Sequence, residues 1–528
     1  MINPINQVFP ISSKKLVKSQ QNITKANIQS KSPFGRLVEW IIDSNRPFKA
    51  VEDKKLMEAF KLADPKLKTP SYFQVRGDIK KLEAVKKEEM KESFKAVDHF
   101  SCSNDVVFSL DGRSFVDVNV HWISEDFQPQ KKILSVLEMK EDKTAKNYRK
   151  AVDSKLEEFD IKSKVFNFTT DNENTMRAAF NDEERNGCLA HIESKSGKKA
   201  LESVRVINDL RKKLRKISKK GNKSSKFKYS LQRQQKQRKL KVRSLKQEIK
   251  TRFVGTNAMM RSVANDLNEG TNSGIDINSV ERNVEAINAA MVESKFPKNK
   301  VKKLTITKED VKKLVEVIPI LDALDEGVNL VGGEKYATGS VVLPFLSKFH
   351  KLLETDEEDP LYLSKFKETM STDLKERCKK NLNFNFLAKA SFFEKRFFAL
   401  KSVDSDEKSR IMDEILVELE EVSTKPKRSA TETDVEHSPP AKCGRFLGLG
   451  LEDSDDEDSA RSNSSRSEME NYLNEPKLKV TGCPFLWWRE RAHLYPRMSV
   501  LARKYLSIQG TSTSAERESH VEIGSSSH

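Results

Sequence analysis

The chain has 528 residues, 36% hydrophobic and 33% charged, long enough for more than one core and polar enough for stretches without one. Lysine and arginine outnumber aspartate and glutamate by 17, which points to an anionic partner. Five scattered cysteines (Cys102, Cys188, Cys378, Cys443, Cys483), no apolar window of about 18 residues and no apolar leader argue against a disulfide-stapled secreted protein and against a membrane protein, and for a reducing compartment.

Residues 1–32 carry five lysines and no acid, and read as a disordered basic arm. From Phe34 a helical period sets in through Leu37, Trp40, Ile41, Val51, Leu56, Ala59, Phe60 and Leu62, so 33–100 reads as a small helical module. The pattern changes after Asp105. Val106 to Leu110 form a short apolar run closed by the turn pair Asp111-Gly112. Val116, Val118, Val120 and Trp122 alternate with Asp117, Asn119 and His121, the pattern of a half-buried antiparallel strand. Ile133–Leu137 supplies a third strand. Ala145, Tyr148, Val152, Leu156 and Phe159 mark a helix, and Val165–Phe168 a fourth strand ending at Thr169-Thr170-Asp171. A short helix follows from Thr175, and Cys188-Leu189-Ala190-His191 is read as the start of a fifth strand. The order is three antiparallel strands, helix, strand, helix, strand. A helical crossover places the fourth strand parallel to its neighbour. Set beside the first strand, it brings Asp111 and Asp171 to adjacent strand ends, where paired carboxylates suit hard divalent cations such as Mg²⁺. An ordinary turn role for either aspartate stays open.

Between Lys195 and Arg252 there are 23 basic residues against three acids, so this segment holds the whole positive excess. Arg211, Lys212, Lys213, Arg215, Lys216, Lys219 and Lys220 fall within ten residues, a density suited to DNA phosphates, with a nuclear import signal or a solvated helix face as alternatives. Residues 101–260 are assigned to the first part of an α/β core that includes the basic helical segment 195–252. Residues 261–405 read as a helical insertion, with Asp276, Ser279 or Thr307 as candidate N-caps and a capping box from Thr307 to Asp310. Residues 406–468 read as a helix end and a disordered acidic linker, with six acids in Glu452–Asp458 and a basic tetrapeptide, Lys425–Arg428, of nuclear-import type. Order returns at Met469. Trp487 and Trp488, followed by Leu501, Tyr505, Leu506 and Ile508, are too apolar for so short a segment to bury alone, so it must dock on something. Residues 518–528 form a tail.

The run Tyr472-Leu473-Asn474-Glu475-Pro476, Trp487-Trp488 and Tyr495-Pro496-Arg497-Met498-Ser499-Val500-Leu501, continued by Thr511-Ser512-Thr513-Ser514-Ala515-Glu516-Arg517, resembles the C-terminal dimerisation region of hAT-superfamily DNA transposases, many of which carry a BED finger. Leu110-Asp111-Gly112 with Val120-His121-Trp122-Ile123 is similar to that family's first catalytic hairpin, and Thr169-Thr170-Asp171-Asn172 to its second aspartate motif. Gly187-Cys188-Leu189-Ala190-His191 is similar to its C-x-x-H element, Thr251-Arg252-Phe253 to its T-R-W, and Ala388–Leu400 to its A-x-x-L-D-P-R-F, with Glu394-Lys395 in place of Asp-Pro.

The resemblance implies an RNase H-like core interrupted by a long all-α insertion and completed by residues 469–517. It implies Asp111, Asp171 and Glu516 as a DDE-type triad holding Mg²⁺, with Mn²⁺ as a substitute. Arg252 and Phe253 would contact DNA, Phe253 by stacking on a base. Cys188 and His191 form a structural motif, and zinc is not expected because no second pair lies at zinc spacing. Trp487, Trp488, Leu501, Tyr505 and Leu506 are assigned to dimerisation. The sequence carries no BED-finger pattern before residue 33, and Glu516 has hardly a turn of chain after it, so catalysis is expected to be impaired. The expectation is a nuclear, DNA-binding, self-associating protein derived from a transposase, without membrane or small-molecule partners. An active Mg²⁺-dependent transposase and a non-catalytic protein or RNA interaction protein are the alternatives.

Overall fold

The computed structural model describes residues 33–44, 46–66, 70–109, 111–181, 184–248, 254–265, 275–333, 336–422 and 457–512. Three helices come first: α1 (Pro33–Asp43), α2 (Lys54–Ala63) and α3 (Tyr72–Lys95). Ser71 and Gln74 cap the start of α3 reciprocally, and Leu37, Val38, Ile41, Val51 and Val75 make a small core of their own.

A mixed sheet follows, built from β1 (Phe100–Asn104), β2 (Val106–Phe108), β3 (Ser114–Ile123), β4 (Pro129–Glu138), β5 (Val165–Thr170) and β6 (Arg185–Gly187). β1 and β2 both pair antiparallel with β3, one after the other, so they form a single line broken at Asp105. Across the sheet the order is β4, β3, β1 with β2, β5, β6, with β5 parallel to β1 and β6 parallel to β5. The crossover from β4 to β5 runs through α4 (Ala145–Glu158), capped by Thr144, and that from β5 to β6 through α5 (Asn174–Ala179).

Two elements of the sequence reading are corrected. β1 was not anticipated, because Phe-Ser-Cys-Ser-Asn lacks a β-branched residue. The fifth expected strand lies earlier, at Arg185–Gly187, and Leu189 opens helix α6 (Leu189–Ser203) instead.

One sheet face is apolar: Phe100, Cys102, Val116, Val118, Val120, Trp122 and Phe168 pack on Phe94 of α3, on Tyr148, Val152 and Leu156 of α4, and on Met176. The other face is polar yet also covered. Asp117, Asn119 and His121, expected in solvent, are only 2%, 1% and 4% exposed. Most of the pairing is within the layer: Ser103 Oγ lies 2.8 Å from His121 Nε2, Asn119 Nδ2 donates to Asp117 Oδ2 at 3.1 Å, and Ser101 Oγ donates to Asn167 Oδ1 at 3.1 Å, while Asn119 Oδ1 is buried without a partner among the described residues. Burial lowers the His121 pKa to about 3, so its ring is neutral in this layer.

Gln509, in the non-helical stretch near the C-terminal end of the described chain, accepts from Thr169 and Asn186 of that face, and the described chain between is mostly helical. After α6 come α7 (Arg205–Asn222), α8 (Ser225–Gln237), α9 (Val254–Ala264), α10 (Ile277–Glu293), α11 (Lys298–Leu304), α12 (Lys308–Val331), α13 (Val342–Leu352), α14 (Leu361–Asn381), α15 (Phe384–Phe393) and α16 (Ser405–Glu421). Asp276 caps α10, and Thr307 with Asp310 forms the capping box of α12, which continues through Pro319 to Val331. The segment 469–512 packs into the same core as these helices.

The acidic linker expectation is corrected over its last part, since α17 (Glu457–Asn474) is a helix. It is fixed by contact with α19 (Pro496–Tyr505): Glu468 Oε1 accepts the Met498 N–H at 2.8 Å, and Arg497 bonds Ser465. Residues 1–32 and Lys425–Arg428 lie outside the described residues.

Trp488, on α18 (Pro484–Arg491), is the centre of this docking. It is fully buried, stacks on Phe127 at 5.8 Å and on Tyr472 at 5.4 Å between ring centres, and donates its Nε1–H to Phe393 O at 2.8 Å. Replacing Trp488 by Ala is expected to cost about 3–5 kcal/mol and to lower the melting temperature of the single chain. An unchanged thermal unfolding curve would contradict this assignment.

Candidate functional site

The parallel register places Asn104 opposite Thr170, so the next residues along, Asp105 and Asp171, leave β1 and β5 side by side at the same sheet edge. The antiparallel register brings Asp117 of β3 to the other side of Asp105. Three aspartates therefore stand in one row across three adjacent strands, on the buried polar face. Asp105 is 3% exposed, Asp117 2% and Asp171 8%.

The break between β1 and β2 follows from Asp117. Its Oδ1 takes the Asp105 N–H at 2.6 Å, while its own N–H donates to Asp105 O at 3.2 Å and its carbonyl accepts Asn104 Nδ2 at 2.9 Å. Asp105 Oδ1 accepts the Val106 N–H at 2.8 Å, and Asp171 Oδ1 accepts the Glu173 N–H at 3.0 Å. Burial raises the Asp117 pKa to about 7, against the hydrogen bonds from Asp105 N–H and Asn119.

Arg185, 1% exposed, braces the Asp171 loop. Its Nε donates to Thr170 Oγ1 at 2.8 Å and its Nη2 to Asp171 O at 2.7 Å and Asn172 Oδ1 at 3.0 Å. Gly187 is required beside it, because a Cβ there would lie 2.3 Å from Asn172 Oδ1 and 2.7 Å from Asn381 O.

Asp171 thus stands at the strand end that the sequence predicts, but Asp111 does not join it. Asp111 sits in the hairpin turn, its side chain 55% exposed, bound to Arg113 Nε at 2.8 Å and to Ser109. Those bonds, Ser109's first and Arg113's next, hold its carboxyl below the ordinary range. The turn is closed by Gly112 at φ 84°, and β2 carries the chain roughly 10 Å past Asp105 before it begins, at ~3.3 Å per residue. Asp105 is the strand-end partner. A reading that extends the alternation Phe100, Cys102 against Ser101, Ser103, Asp105 back from Val106 finds it. Glu516, Arg252 and Phe253 lie outside the described residues.

Cys188 and His191 belong to the junction of β6 with α6. Cys188 is fully buried and its Sγ lies 3.0 Å from Thr511 Oγ1. Burial pushes the thiol up, but the charge and hydrogen bond of His191, with hydrogen bonds from Thr511 and Ser512, outweigh it and leave the pKa at about 6. Cys188 joins the C-terminal segment to the sheet edge through Thr511.

The basic run divides in two. Arg211 Nε binds Glu248 at 2.6 Å, Arg215 reaches the same carboxylate at 3.4 Å, Lys213 binds Asp310 at 2.6 Å, and Lys220 lies 4.1 Å over the Phe296 ring. Those four side chains hold α7 to the rest of the helical core. Lys212, Lys216 and Lys219 are exposed.

The residues assigned to dimerisation pack within the chain. Trp487, Trp488, Leu501, Tyr505 and Leu506 are between 0% and 6% exposed inside a single chain. Among the described residues, the large apolar side chains that the same region leaves at the surface are Val480, Leu486 and Leu494, at 64%, 47% and 55%.

Among the described residues no group of three or more His, Cys, Asp or Glu side chains is arranged to hold a metal ion. Asp105 and Asp171 nonetheless offer hard carboxylate oxygens of the kind Mg²⁺ and Mn²⁺ take. No helix among the described residues is long and apolar enough to cross a membrane.

Two family models match the chain. The model described as ZBED1 RNase-like domain matches residues 103–186, which span β2 to β6 and include Asp105, Asp117 and Asp171. The model described as hAT family C-terminal dimerisation region matches residues 468–522. No curated protein matches.

Asp117 carries a pH signature. Its folded pKa is raised above the unfolded value, so its neutral form favours the native state at low pH and that advantage is lost as pH rises from about 4 to about 7. In EDTA-treated buffer, the stability of Asp117→Asn relative to wild type should therefore grow over this window, by up to roughly 1.4 kcal/mol per pH unit. Parallel stability curves would sink the assignment.

Proposed function

We propose, from the premise that this chain is an hAT-family, transposase-derived protein, that it binds DNA as a self-associated particle and retains a residual metal-assisted phosphoryl-transfer site. The observation that carries the proposal is the row of Asp105 and Asp171 at adjacent ends of parallel strands. The strand order supports an RNase H-like core, and the chain between β6 and the 468–522 region supports a helical insertion within it. A divalent ion held by Asp105 and Asp171 would supply an activated water and stabilise the leaving oxygen of a phosphodiester. The chain's own contribution is positional: Asp117 fixes the Asp105 backbone, Arg185 fixes the Asp171 loop, and burial keeps both carboxylates out of bulk water. With one oxygen of each turned onto a neighbouring N–H, the pair is a weak ion site.

DNA is the anionic partner that the net charge of +17 and the exposed Lys212, Lys216 and Lys219 suit, and the nucleus is the compartment where it is met. The register of the aspartates equally favours a second reading, an active transposase, in which the same pair cuts and joins DNA at speed.

Incubation with supercoiled plasmid and Mn²⁺ or Mg²⁺ separates these. We expect slow nicking that Asp105→Asn or Asp171→Asn abolishes and Asp111→Asn leaves intact. Rapid cleavage with joining would favour the active transposase, and loss of nicking in Asp111→Asn alone would overturn the Asp105 assignment.

The exposed apolar side chains among the described residues of the 468–522 region are our proposed surface for self-association. The double change Leu486→Glu/Leu494→Glu should reduce the mass seen by light scattering while leaving the melting temperature within about 1 kcal/mol equivalent of wild type. An unchanged mass would move the interface elsewhere.

A further inference from the structure

Away from the aspartate row, one groove of about 510 Å³ is lined chiefly by cations. It runs between α6 and α14, and Lys195, Lys198, Lys199, Glu202, Ser203 and Arg377 form its walls. The cations are built in rather than scattered. Asp373 of α14, its side chain only 4% exposed, accepts Ser196 Oγ at 2.8 Å and Lys199 Nζ at 2.6 Å, and also takes Arg377 Nε. One buried carboxylate thus anchors two basic side chains, one from each wall. Glu202 is itself drawn toward Arg211, 3.7 Å away. Lys195, Lys198, Lys199 and Arg377 against Asp373 and Glu202 leave the groove net positive.

Its direction matters as much as its charge. α6 starts from Cys188, whose N–H donates to Thr170 O at 2.8 Å and whose carbonyl accepts Asn172 Nδ2 at 2.8 Å. α14 ends at Asn381, whose carbonyl accepts Arg185 Nη1 at 3.4 Å, the same arginine that braces Asp171. Both walls therefore terminate at the Asp171 loop. Lys195 to Lys199 lie seven to eleven residues beyond Cys188, roughly 10–16 Å along a helix at ~1.5 Å per residue. At ~3.4 Å per phosphate of one strand along a duplex axis, that is about three to five nucleotides.

We propose that the α6–α14 groove is a phosphate-backbone track that holds DNA about three to five nucleotides from the Asp105–Asp171 edge. The proposal rests on the DNA-binding reading above and adds a surface that the basic run of α7 does not supply. Lys195 and Lys198 give the track its unanchored charge, while Lys199 and Arg377 give it rigidity.

The test uses the full chain and a labelled 30-base-pair duplex, with affinity read by anisotropy against salt. Lys195→Gln/Lys198→Gln should make the slope of log K against log salt shallower by roughly 2, at ~0.9 per phosphate contact. The same charge change at the exposed Lys302 and Lys303 of α11 should leave the slope within error of wild type. If wild type binds the duplex and the Lys195/Lys198 variant keeps its slope, the track is overturned and the DNA reading stands. If wild type binds no duplex even at low salt, it is the DNA reading that fails. Tighter binding to single-stranded RNA of equal length, with the slope change confined to RNA, would overturn the DNA track in favour of an RNA one.

Discussion

Four residues near the end of the described chain, Ile508 to Thr511, hold the molecule's parts in one arrangement. Ile508 O accepts the Gly339 N–H at 3.0 Å, which ties them to the helical region ahead of α13. Gln509 O accepts Thr169 Oγ1 at 3.0 Å and Asn186 Nδ2 at 3.4 Å, from β5 and β6. Gly510 O accepts the Leu189 N–H at 3.1 Å, its N–H donates to Thr338 Oγ1 at 3.0 Å, and Thr511 meets Cys188. The fit allows no side chain at Gly339, where a Cβ would sit 2.7 Å from Ile508 O. A buried polar group left unpaired costs about 1–3 kcal/mol, and several on this sheet face depend on this segment for cover.

That cover is what lets the polar face exist. A sheet with solvent on one side would place Asp117, Asn119 and His121 in water, and their pairing would carry little structural weight. Enclosed, the same residues become a fixed hydrogen-bonded layer in which the Asp117 carboxylate sets the Asp105 backbone. The aspartate row is therefore a property of three distant stretches of chain: the hairpin, the β5 end and the C-terminal segment.

How much of this the sequence discloses depends on whether the cause is local. The apolar half of β3, the α4 crossover, the Asp276 cap and the Thr307–Asp310 box were legible because each rests on side chains within a few residues. β1 is not, since its alternation is serine against phenylalanine and cysteine and its pairing is with residues 16 and more positions away. Asp105 was missed with it, and Asp111 took its place because a turn aspartate looks the same in sequence. Arg211 and Lys213 looked like free charge because their partners, Glu248 and Asp310, lie 37 and 97 residues on. The two tryptophans were rightly read as needing a surface to dock on; that surface is Phe393, Tyr472 and Phe127 of the same chain.

The bond from Thr169 to Gln509 spans 340 residues. During synthesis at 5–20 residues per second, the sheet emerges and then waits roughly 15–70 s for the segment that closes it. Its apolar face need not wait, because Phe94 of α3 and the residues of α4 and α5 arrive before or together with β5 and β6. The face left open is chiefly serine, asparagine, threonine, histidine and aspartate, which water can solvate, with Ile123 and Phe166 as apolar side chains that wait for the later helices. The polarity of that layer thus limits the apolar surface that the unfinished chain shows on the ribosome, before it has any partner to bind.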